Sequence, residues 1–132
     1  MTLIIIGLIL TVLAGVCEAI MDTLQFHFDR SIFSNYTNKR FWNPILSWEN
    51  KYKEDLKTPK FFLSTTLFVF LTDAWHLFKM IRTLLLIIGI AMSVYSLKGF
   101  EFISLLILCR VLFGISFTIA FKMLIKKVPI NF

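Results

Sequence analysis

The sequence predicts an all-α integral membrane protein: a four-helix transmembrane bundle, or three spans plus a re-entrant or interfacial helix, with an aromatic-rich interfacial loop. Three observations lead there. The composition is 58% hydrophobic and only 17% charged, well to the apolar side of soluble domains. The apolar residues come in blocks, several of them as long as a membrane span. A single extended polar region, residues 30–60, separates the first block from the rest and is rich in Trp, Tyr, Phe and Pro. A chain of 132 residues holds one such domain, 1–132.

The first span covers about residues 2–22 and carries no charge before Glu18. It lacks the basic start of a secretory signal, and Leu13-Ala14-Gly15-Val16-Cys17 has too large a residue at Val16 for a lipoprotein cleavage site. It reads as a retained span. No proline interrupts it, so the helix should run on past the membrane surface. If it reaches Asp29, then Glu18, Asp22, Gln25 and Asp29 line one face.

The loop at 30–60 should lie on the membrane surface or cap the bundle, because Trp and Tyr favour the headgroup level. Within it, Trp48 to Leu56 reads as a short interfacial helix starting near Ser47. The second span, about 61–78, is interrupted by Asp73 and His76 and has a polar side that includes Thr65 and Thr72. The third and fourth spans cover about 81–97 and 102–121. Lys98-Gly99-Phe100 joins them too tightly for anything but antiparallel neighbours. The basic tail Lys122 to Lys127 should mark an interface. More Lys and Arg sit on the side of the 30–60 loop than on the side of the termini, which favours a cytoplasmic loop.

A net charge of +6 suits headgroup contact better than nucleic acid, since no basic stripe follows a phosphodiester path. Cys17 and Cys109 both fall in apolar segments, so neither a disulfide scaffold nor a cysteine metal framework is implied. No phosphate-binding glycine loop, nucleophile elbow, potassium filter or internal repeat is present.

The chemistry lies in the charges within apolar segments. Each costs about 2.5 to 3.5 kcal/mol at a span centre on insertion scales, so each needs a partner. Arg110 calls for a carboxylate, Glu18 or Asp73, in a structural ion pair between spans. Glu18-x-x-x-Asp22 puts two carboxylates one turn apart, and Asp73-x-x-His76 does the same for a carboxylate and an imidazole. Such groups suit acid/base catalysis by Glu18, Asp22, Asp73 and His76. They equally suit zinc, manganese or iron held by Asp22, His27, Asp73 and His76. They also suit a plain interspan hydrogen-bond network. In a strict four-span hairpin Asp73 lies about 18 Å deeper than the end of the first span, so a joint site requires the second block to break. Ser47, Trp48, Asn50 and Lys51 form a candidate lid over a lipid headgroup.

Met21-Asp22-Thr23-Leu24-Gln25-Phe26-His27, Ser47-Trp48-Glu49-Asn50-Lys51-Tyr52 and Thr72-Asp73-Ala74-Trp75-His76 resemble stretches of uncharacterised small membrane proteins of prokaryotes and their phages. The resemblance spans most of residues 18–80 and implies a multi-pass protein of a prokaryotic cell membrane, without an activity. From the residues the expected function is a metal-dependent or acid/base, hydrolase-like enzyme on a lipid or lipid-linked substrate. The alternatives are a small homo-oligomeric channel or pore and a structural or regulatory subunit. The expected partners are the lipid bilayer, such a substrate and other copies of the chain, with no nucleic acid.

Overall fold

Helix α1 (Thr2–His27) forms as expected over an unbroken apolar run, and one 3-10 turn, Phe28–Arg30, ends it. Two further long helices follow, α3 (Ala74–Val94) and α4 (Phe100–Leu124), with a four-residue helix α2 (Lys39–Trp42) in the polar loop. The computed structural model describes residues 1–95, 97 and 99–126. Ser96 and Lys98 of the connection, and the Lys127 end of the basic tail, lie outside the described residues. Among the described residues α1, α3 and α4 are the helices long and apolar enough to cross a membrane.

The four-span expectation is corrected here. Residues 61–72 do not form a helix; they run through turns and a 3-10 turn, Val69–Leu71, and α3 then takes the end of the second block and most of the third. The physical reason is hydrogen bonding. Ser64 and Thr72 spend their hydroxyls on the backbone oxygens of Lys51 and Val69, at 2.7 Å each. Such bonds offer the chain an alternative to helix. Leu63 adopts φ +56°, a left-handed conformation that a helix cannot contain. Asp73 then caps α3, its Oδ1 accepting from the His76 amide at 2.9 Å, the favoured N-cap arrangement.

Helix α1 is the centre of the bundle. Helices α3 and α4 flank it and scarcely touch each other. Their short connection therefore joins two helices that each pack on α1 rather than on one another. Over its first half the buried face of α1 is made of small residues, Gly7, Thr11, Ala14 and Gly15. A Cβ at Gly7 would stand 2.6 Å from the Gly89 carbonyl oxygen of α3, and one at Gly15 would stand 2.6 Å from the Phe113 carbonyl oxygen of α4. Backbones approach this closely only where side chains are absent, the usual basis of helix packing in lipid. Gly15→Leu should therefore force α4 off α1 and cost about 3 kcal/mol. Gly114→Ala, which meets only the Arg110 Nη1 at 3.4 Å, should change little. Unfolding of the two variants in mixed micelles checks the contrast.

The polar loop caps one end of this bundle. Phe33 stacks on Trp42 at 5.2 Å between ring centroids, Tyr36 meets Trp42 edge-on at 4.9 Å, and Trp42 reaches Phe78 of α3 at 6.4 Å. Leu24 and Ala74 are buried together with Phe33. The end of α4 is tied in as well: the Lys126 amide donates to the Arg30 carbonyl at 2.7 Å, and its Nζ donates to Ser34 Oγ at 2.8 Å. The expected helix from Trp48 to Leu56 is a 3-10 helix over Ser47–Lys51 instead. Tyr52 is already extended and bridges to Pro59. The turn between them is fastened by Asp55, whose carboxylate accepts from the Thr58 hydroxyl at 2.5 Å and from the amides of Lys57 and Thr58. These bonds hold its carboxyl well below the usual carboxylate range, at about 2.

Candidate functional site

Because α3 begins at Asp73 and runs antiparallel to α1, the start of α3 lies beside the end of α1. That register brings Gln25 of α1 to the same cleft as Asp73, Trp75 and His76 of α3, with Pro44 and Ser47 of the loop as the remaining wall. The cleft holds about 310 Å3. The break in the second block, which a joint site required, is thus present.

Within the cleft the predicted carboxylate–imidazole pair is formed. His76 Nδ1 lies 2.8 Å from Asp73 Oδ1 and 2.7 Å from Oδ2. The Asp73 side chain is 2% exposed and that of His76 is 34% exposed. An ionised carboxylate only accepts hydrogen bonds. Against an ionised Asp73, Nδ1 is then the donor of this contact, and Nε2 is the ring nitrogen left outside the pair. Trp75 packs edge-on to the His76 ring at 5.0 Å. Ser47 Oγ donates a long 3.3 Å bond to the Pro44 carbonyl.

The other predicted residues fall elsewhere. Glu18 pairs with Arg82 of α3, both half-buried between the helices. Arg110 is therefore not the partner of Glu18, and no carboxylate lies within ion-pair distance of it among the described residues. It is exposed on α4, with its guanidinium 5.9 Å from the Phe113 ring. Arg110 as a structural ion pair within the chain is thus corrected: α3 carries a closer cation to the carboxylate of α1.

Asp22 stays on α1 with Glu18, one turn away, and does not line the Asp73–His76 cleft. His27 turns to Phe121 of α4, edge-on at 5.4 Å. The four proposed metal ligands are therefore split between faces. Among the described residues no three His, Cys, Asp or Glu side chains converge as a metal set. The proposed catalytic four divide the same way, into Glu18 with Asp22 and Asp73 with His76.

The proposed lid is also partly reassigned. Ser47 lines the cleft, but Trp48, Asn50 and Lys51 do not. Asn50 instead fastens the loop to the start of α3: its Nδ2 donates to the Thr72 carbonyl and its Oδ1 accepts from Lys60 Nζ, at 2.5 Å each. The Lys51 carbonyl accepts from Ser64 Oγ. Trp48 is half exposed on the outer surface. Three cleft residues, Gln25, Pro44 and Trp75, carry no role assigned from the sequence; Gln25 is signalled only by its place on the polar stripe of α1.

Fold and site together define a helical protein with three membrane-length helices and a polar cleft where α1 ends and α3 begins. No family model, curated protein or solved structure matches the chain.

Proposed function

We propose that the chain is a membrane enzyme using the Asp73–His76 pair for acid/base chemistry on a lipid or lipid-linked substrate. The observation that carries this is the 2.7–2.8 Å contact of His76 Nδ1 with both Asp73 oxygens, at a cleft. It orients the imidazole and leaves Nε2 as the proton acceptor, the arrangement of a general base held by a buried carboxylate. Nε2 would take the proton of a water or hydroxyl as its oxygen attacks an ester or phosphoester. The imidazolium so formed is stabilised by Asp73 and returns the proton to the departing alcohol. Gln25 and Ser47 supply polar groups to hold a headgroup.

A lipid substrate is favoured by the site's position. The cleft opens at the aromatic-rich end of the bundle, the level that Trp and Tyr prefer in bilayers, and Phe62, Leu67 and Leu71 of the segment leading into α3 are exposed. The metal version has less support, because among the described residues no third His, Cys, Asp or Glu side chain joins Asp73 and His76.

The test uses purified protein in vesicles of phosphatidylethanolamine and phosphatidylglycerol, with products followed by mass spectrometry. Wild type should release fatty acid or headgroup, and His76→Gln should lower the rate by about 100-fold or more. No product from wild type, or equal rates for both proteins, rejects the reading.

A further inference from the structure

The bundle has an open side. Helices α3 and α4 lie on either flank of α1 without closing on each other, and a groove of about 390 Å3 remains between them. Thr11 of α1 forms its floor, Leu86 and Ile90 of α3 one wall, and Leu106 and Phe113 of α4 the other. Arg110 stands at its edge and also lines the adjoining outer face of α4, beside Gly114 and Thr118.

Arg110 is the feature that this surface leaves unexplained. It is ten residues from the start of α4 at Phe100 and fourteen from its end at Leu124, or about 15 and 21 Å along the axis. Both distances exceed the length of an arginine side chain, so in a bilayer it cannot rest its charge at the headgroups. A guanidinium does not readily give up its proton. The chain pairs the cation of α3, Arg82, with Glu18, yet among the described residues no carboxylate lies within ion-pair distance of Arg110.

A second copy inserted the same way does not supply one. Arg110 shares its groove with Thr11, and the described acidic residues lie away from that depth. Glu18 is already paired with Arg82. Glu101, nine residues before Arg110, is about 13 Å away along α4.

We infer that the α3–α4 groove receives a transmembrane helix of another protein, one carrying an aspartate or glutamate near its middle, with Arg110 as the anchoring charge. Such a helix takes the open fourth place of a bundle. Gly114 and Thr118, one and two turns beyond Arg110, leave room for its backbone to come close. A charge-assisted Arg–carboxylate pair then satisfies both ions at a depth where neither has water.

The test titrates labelled oligoleucine transmembrane peptides against the reconstituted full chain in phosphatidylcholine vesicles, read by energy transfer. One peptide has a single central aspartate and the other has leucine there. The aspartate peptide should bind at least tenfold more tightly. Arg110→Leu should remove that preference, while Ile90→Trp, which fills the groove but keeps the charge, should weaken binding of the aspartate peptide by a similar factor. Helical content of each variant, measured in the same vesicles, confirms that it is folded. Equal binding of the two peptides overturns the inference, as does a preference that survives Arg110→Leu. Undiminished binding to Ile90→Trp removes the groove from it. Arg110-dependent self-association without peptide overturns it in favour of a second copy.

Discussion

An Arg82→Leu variant is expected to lose about 3 kcal/mol of stability, at the low end of the range for breaking a buried ion pair. The low end applies because the two side chains, at 26% and 25% exposure, are only partly withdrawn. The loss arises from what is left behind. Glu18 would remain between α1 and α3 either as an unpaired carboxylate or as an acid forced to hold a proton, and both are costly in apolar surroundings. Glu18→Leu alone should cost a similar amount, by stranding the guanidinium. The double variant Glu18→Leu/Arg82→Leu should recover most of the loss, because two apolar groups of similar volume replace the pair. Unfolding of all four proteins in mixed micelles gives the coupling directly. Additive losses in the double variant would mean that the two charges do not act together.

Asp73 carries two duties, and substitution separates them. It caps α3 through the His76 amide and orients the His76 ring through Nδ1. Asn is as good an N-cap as Asp, but its amide holds no charge to stabilise an imidazolium. Asp73→Asn should therefore stay within about 0.5 kcal/mol of wild type while its turnover on phospholipid vesicles falls about 100-fold, no further than that of His76→Gln. Asp73→Ala should lose both, with about 1 kcal/mol of the helix cap gone. If Asp73→Asn is as active as wild type, the pair is a cap and nothing more.

Much of the fold was legible, for reasons that can be given residue by residue. The first 27 residues hold neither proline nor a charge before Glu18, so nothing competes with a single helix. Asp73 and His76 are three apart, and any helix starting at Asp73 must bring them together. The second block misled because hydropathy weighs side chains and ignores where their hydrogen bonds go. Ser64, Thr72 and Asp73 favour turns and caps, and that local chemistry outweighed eleven apolar-rich positions from Phe61 to Leu71.

The error carried forward. With a helix over 61–78, Arg82 falls in a turn and Glu18 has no partner but Arg110. With α3 capped at Asp73, Gln25 and Asp73 line one cleft and, seven residues back along α1, Glu18 meets Arg82, nine residues along α3. The ion pair and the cleft both follow from that one boundary. The metal set failed for a different reason. Spacing along a helix fixes which face a residue occupies, whereas ligation needs donors from different helices to converge. His27 was drawn instead to Phe121 of α4.

The central claim is that Asp73 holds His76 with a proton on Nδ1 and leaves Nε2 free in the cleft. Nitrogen-15 NMR of histidine-labelled protein in lipid vesicles, at mildly alkaline pH, reads this without knowledge of the substrate. A His27→Gln background isolates the signal of His76. The account predicts the Nδ1-protonated tautomer in wild type and a mixture of tautomers in Asp73→Asn. An Nε2-protonated ring in wild type, or identical spectra for the two proteins, would contradict it.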